Sequence, residues 1–174
     1  MGNRSRVLDA DYFLTIAELA VALAGFGSLA ALIGRRPGGE SAAVDANRLR
    51  AMLERSLSAM ILAVLPVSLA RFELSPHLVW GAPAVLFAIA EPYLHVAPVR
   101  RMRRIPSYQP GLAYRLSGWV GLVLILGLLF AGLVGLIPLQ PAFGLALVIE
   151  LLVAATMFLR VASSLMAMHE PPGA

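Results

Sequence analysis

Three glutamates carry the chemistry available to this chain. Glu18, Glu91 and Glu150 each lie well inside a long run of Ala, Val, Leu, Ile and Phe rather than at its edge. An ionised carboxylate in apolar surroundings is costly, so such a group pairs with a cation, takes up a proton, or binds an ion. Glu91 and His95 stand at i, i+4, on one helical face if Pro92 leaves the helix straight. That spacing can hold a metal ion, but no second ligand pair accompanies it and no metal site is expected. His77 and His95 fall near opposite ends of one stretch and His169 falls in the C-terminal tail. A bis-histidine haem is therefore not expected either, and no cofactor is assigned.

Signatures of covalent or phosphoryl chemistry are lacking. The chain has no cysteine, which removes disulfides, thiolate metal sites and cysteine nucleophiles together. It has no glycine-rich phosphate loop, no Gly-x-Ser-x-Gly and no His-Glu-x-x-His. The polar group Arg71, Glu73 and His77 reads as a loop at one surface. A catalytic role is not expected.

The elements that must position the glutamates follow from composition. Of 174 residues, 59% are hydrophobic and 14% charged, and the mean hydropathy is +0.80. Soluble domains average about 45–50% apolar and about 25% charged residues. With so few charges, a soluble fold could not cover its apolar surface, whereas a lipid bilayer would. The expected fold is all-α, a polytopic transmembrane bundle of about five spans, since a span needs roughly 20 apolar residues. The spans are expected near 12–34, 48–71, 76–99, 112–137 and 142–168, between an N-terminal tail 1–11 and a C-terminal tail 169–174.

Local signals mark the ends. Arg35, Arg36, Pro37, Gly38 and Gly39 stop the first span, with helix breakers after cations at its negative end. Ser41 or Asp45 is expected to cap the second, whose first turns mix Arg48, Arg50, Glu54 and Arg55 with Leu49, Met52 and Leu53 as an interfacial segment would. The third carries Pro83, Pro92 and Pro98 and is the least regular. Pro138 to Pro141 turn the chain between the fourth and fifth. Arg4 and Arg6 precede an apolar stretch, but Glu18 interrupts it and apolar sequence continues to Ile33, so a signal peptide is not expected.

The net charge of +4 comes with a pI near 10.3, yet the arginines sit in short loops between apolar runs. They read as topology determinants beside anionic head groups, not as a nucleic-acid surface. Arg35, Arg36, Arg48, Arg50, Arg100, Arg101, Arg103 and Arg104 fall in alternate loops, with Arg115 nearby, whereas the other loops offer Arg71. The positive-inside rule then places the N-terminus outside and the C-terminus in the cytoplasm of a cell (inner) membrane.

At about 1.5 Å per residue, Glu18 and Glu150 lie roughly 9 and 12 Å below the outer surface, and Glu91 roughly 10–12 Å from the cytoplasmic one. Arg71 is the expected partner of Glu18 or Glu150, and Arg115 or Arg100 that of Glu91. Two acids at one depth would bind a cation or relay a proton, and Glu18 repeated around an axis would form a selective ring. Gly127, Ala131 and Gly135, and Ala20, Ala24 and Ser28, recur every four residues as small faces for close helix packing, within the chain or between copies.

The segment Glu18-Leu-Ala-Val-Ala-Leu-Ala-Gly-Phe-Gly-Ser-Leu with Arg35-Arg36, and Asn47-Arg-Leu-Arg at the start of the second span, resembles small uncharacterised bacterial multi-pass membrane proteins. The resemblance covers about a third of the chain and implies no activity. It singles out Glu18, Gly25, Phe26, Arg48 and Arg50. Two functions fit these readings: a homo-oligomer that binds or passes a small cation or proton through Glu18 with Glu150, or a non-catalytic subunit or assembly factor docked to other membrane proteins.

Overall fold

A computed structural model describes the backbone of residues 2–33, 39–103, 105 and 112–166, and the side chains of most of these. The expectations for Arg35, Arg36, Arg104, His169, the 106–111 loop and the side chain of Arg115 lie outside the described residues.

Five α-helices form the bundle: α1 (Gly2–Ile33), α2 (Glu40–Leu69), α3 (Pro76–Met102), α4 (Leu112–Leu133) and α5 (Leu139–Met166). Four of them are long and apolar enough to cross a membrane, and the described part of α4, Gly118–Leu133, is a shorter apolar helix. The architecture is that of a polytopic membrane bundle, in which backbone hydrogen bonds are met mainly within each helix.

Several helix ends differ from the sequence expectation, each for a local reason. Helix α1 starts at Gly2 rather than near Tyr12, because polar residues continue a helix beyond an apolar core without any hydropathy signal. Helix α2 starts at Glu40 after a Gly39 cap, so neither Ser41 nor Asp45 is the N-cap. Asp45 instead sits inside the helix, where it accepts from Arg48 at 3.2 Å and from the Ser164 hydroxyl of α5 at 2.9 Å. A short 3₁₀ turn over Ala70–Phe72 carries α2 to Glu73, which adopts a left-handed conformation. Pro76 then opens α3 at its first turn, where the missing N–H costs nothing.

Helix α3 runs unbroken through Pro83, Pro92 and Pro98. Each proline leaves the carbonyl four residues before it without its helical N–H. The Asn47 amide of α2 donates to the carbonyl of Pro98 itself at 3.1 Å and ties the two helices together. Helix α4 ends four residues before the expected Ile137. Gly135 has φ of 79°, the Leu136 N–H donates to the Ala131 carbonyl at 2.9 Å, and the Gly135 N–H donates to the Gly132 carbonyl at 3.2 Å. This is a Schellman termination, so Gly135 is a helix stop and not a packing residue.

Helix α2 packs against α1, α3 and α5, while α4 packs against α3 and α5. The interior has two parts. Toward the start of α1 and α5 and the end of α2, Phe13, Phe87 and Phe143 are buried among Ala59, Leu62, Ala63 and Leu147. Phe13 meets Trp80 at 5.0 Å and Phe143 at 5.9 Å, and Phe87 meets Phe143 edge-on at 6.2 Å. Toward the other end, Ala51, Met52, Ala154 and Met157 form a smaller cluster.

The small residues divide between these contacts and the outer surface. Ala20 is buried, Ala24 is half-buried and Ser28 is exposed, its hydroxyl donating back to the Ala24 carbonyl at 3.0 Å. The close approach on α1 is made by Gly27, where a β-carbon would run into Met52. On α4 the close approaches are at Gly118, Gly121 and Gly132, where a β-carbon would press on His95, on Val153, and on Leu139 and Ala142 respectively. Gly127 is exposed with nothing near it, so the Gly127–Ala131–Gly135 series is not the packing seam of the described bundle.

Candidate functional site

Between the two parts of the interior lies a charged cluster. Along α2 the buried residues Asn47, Ala51, Arg55, Ala59 and Ala63 recur every four positions and face the neighbouring helices. Small alanines on either side of Arg55 let α3 and α5 approach it. Glu91 and Pro98 lie on the buried face of α3, and Glu150 faces inward from α5. The three charged side chains are almost wholly enclosed: Arg55 is 2% exposed, Glu91 1% and Glu150 0%.

Arg55 Nη1 donates to Glu91 Oε1 at 3.1 Å and to Oε2 at 3.3 Å, and to Glu150 Oε2. One guanidinium nitrogen thus bridges two acids from different helices. Further polar capacity remains at the same place. Among the described residues, Glu150 Oε1, Arg55 Nε and the neighbouring Ser56 hydroxyl are buried without a hydrogen-bond partner. Glu150 Oε1 is an acceptor that a bound water, a proton or a cation could satisfy.

Glu91 and Glu150 are brought together, which the depth estimate did not foresee when it assigned them to different leaflets. Helix α3 ends at Met102 rather than near Val99 and α5 starts at Leu139 rather than Ala142, so both acids lie nearer mid-span than the expected limits imply. Their partner is Arg55 rather than Arg71, which is exposed in the turn after α2. Glu18 does not join them. It is exposed on the outer face of α1, beside exposed Leu14, Leu19 and Val21. His95 does not share a site with Glu91 as an i, i+4 pair would. Its ring meets that of Trp119 at a tilt, with centroids 4.9 Å apart, and packs against Gly118. Among the described residues no three His, Asp or Glu side chains gather as a metal set.

A polar ladder continues from this cluster along α2. Glu54 accepts from Arg101 Nη2 at 2.6 Å and from Arg50 Nε at 2.8 Å. With Asn47 on Pro98 and Asp45 on Ser164, α2 is tied at several levels to α3 and α5. A cavity of ≈ 670 Å³ lies alongside, between α3, α4 and α5. Its walls include Leu94, Ile149, Val153 and Met157, and Arg55, His95, Arg100 and Arg103 also line it.

Sequence reasoning missed Arg55 because it lies between Arg50 and Arg71 in a segment that reads as interfacial. The available signal was the four-residue repeat of Asn47, Ala51, Ala59 and Ala63, whose register includes position 55. A charged residue in register with small residues on both sides faces inward, toward a partner. No protein family, no curated protein and no solved structure matches this chain.

Proposed function

We propose that this protein binds and passes a proton or small cation within the bilayer, using Glu91 and Glu150 on Arg55. The observation that carries the reading is the charge balance of the enclosed cluster. Two carboxylates face one guanidinium, so full ionisation leaves one negative charge in excess. An uncompensated charge at such a place is costly, and one proton or one small cation removes it. The unpartnered Glu150 Oε1 is the atom with capacity to receive it. Glu18, the acid favoured by sequence alone, has no part in this centre.

We further propose, from the gathering of arginines in alternate loops, that the arginine-rich end faces the cytoplasm of a bacterial inner membrane with the N-terminus outside. The test is flux in vesicles containing the purified protein and a pH-sensitive dye. Wild type is expected to dissipate an imposed proton or potassium gradient, and Glu150→Gln or Glu91→Gln to lose that flux. A silent wild type, or a Glu150→Gln protein with unchanged flux, overturns the reading.

A second reading, a non-catalytic subunit or assembly factor of a larger membrane complex, is favoured by Glu18 alone. A carboxyl on an outward face among exposed leucines and valines is poorly suited to lipid and well suited to a polar group on a neighbouring chain. Purification in mild detergent tests it: recovery of a stoichiometric foreign subunit that is lost in Glu18→Leu supports it, and a monomer indifferent to that substitution removes it.

A further inference from the structure

We propose that the cavity between α3, α4 and α5 is a binding site for one chain and the head group of an anionic phospholipid. The cavity touches the carboxylate centre at Arg55, but the inference rests on its apolar wall and on the arginines at the end of α3. The cavity measures ≈ 670 Å³, within the roughly 300–1,000 Å³ typical of ligand sites. Its character changes along its length. Ile149, Val153 and Met157 of α5 and Leu94 of α3 form an apolar wall, while Arg100 and Arg103 line it at the end of α3.

Both arginines are exposed. Arg101 between them is engaged by Glu54, but no carboxylate among the described residues pairs with Arg100 or Arg103. Helix α3 has 27 residues and so spans about 40 Å, which places its last turn at head-group level. Two cations there, above an apolar channel open to the outside of the bundle, match a phosphate with an acyl chain below it. Basic pockets between membrane helices on the cytoplasmic side are suited to such head groups. An electroneutral lipid would fill the apolar part equally well but would leave the two guanidinium groups less well matched. A free phosphate would satisfy the arginines and leave the apolar wall uncovered.

Trp119 lines the same cavity and serves as the probe. In a Trp80→Phe background it is the one tryptophan left, since the chain has two. The delipidated protein in mild detergent is titrated with phosphatidylglycerol brominated in its chains, with brominated phosphatidylcholine as comparator and inorganic phosphate as competitor. Saturable quenching is expected, with about tenfold or greater preference for phosphatidylglycerol. Arg100→Gln with Arg103→Gln is expected to abolish the preference, and Arg71→Gln, at the opposite end, to keep it. Equal quenching by both lipids marks a non-selective lipid shell and overturns the proposal. So does a preference that survives the double substitution. Displacement of the lipid by inorganic phosphate assigns the arginines to a free anion and overturns it likewise.

Discussion

The two ends of the bundle interior are held by different physics. At one end Phe13, Trp80, Phe87 and Phe143 interlock through ring contacts among small aliphatic residues. At the other, Asp45, Asn47, Glu54 and Arg55 of α2 reach α3 and α5 through directed polar contacts. In lipid, burying an apolar side chain yields little hydrophobic gain, because the surroundings are already apolar, and association rests on close packing and interhelical hydrogen bonds. The aromatic end uses the first and the α2 ladder the second. Packing tolerates rearrangement, whereas a buried charge requires its partner. The polar end is therefore where a single change should matter most and where a reactive group can be held in place.

The largest effect is expected from Arg55→Met, which leaves Glu91 and Glu150 enclosed without their cation. Removing one partner of a buried ion cluster costs about 3–5 kcal/mol, read as a fall in melting temperature and in the monodisperse yield in detergent. A protein of unchanged stability would break the distinction between the ends. Phe143→Ala tests the aromatic end. It is expected to cost about 3 kcal/mol, at the low end for a phenylalanine truncation because the hydrophobic gain of burial is small in lipid and mainly the lost packing counts.

Replacing the whole cluster sharpens the comparison. Arg55→Leu, Glu91→Leu and Glu150→Leu together are expected to be neutral or stabilising by about 1–4 kcal/mol, while proton or cation flux in vesicles disappears. That outcome would separate the cluster's chemistry from its structural role, and strong destabilisation by the triple change would instead make it a structural tie. Gly135→Ala, at the left-handed stop of α4, is expected to cost about 1–2 kcal/mol from backbone strain alone. The smallest effect is expected from Glu54→Gln. Its contacts to Arg101 and Arg50 are partly exposed, with side-chain exposures of 25% for Arg101 and 68% for Arg50, and such pairs are worth about 0–1 kcal/mol.

Much of the fold was legible in the sequence because hydropathy and proline–glycine punctuation are local. The start of α3 at Pro76 and the continuous apolar runs behind the four long spans follow from residues read in order. The ends of α1, α2 and α4 were less legible. Polar helical extensions such as Gly2 to Asp11 carry no apolar signal, and Gly135 serves equally in a packing motif or a helix stop until its φ is known. The site was legible only in part. Glu91 and Glu150 stood out as acids in apolar runs, but so did Glu18, which turns outward.

What the sequence determined by itself is the material: five apolar helices, no cysteine chemistry, arginines gathered in alternate loops, and acids at depth. Which acids meet, and on which cation, was decided by the tertiary structure. The azimuth of each helix sets whether a side chain faces lipid or core, and that rotation follows from packing against neighbours distant in sequence. Arg55 and Glu150 are 95 positions apart, and only the docking of α2 between α3 and α5 makes one guanidinium answer two carboxylates.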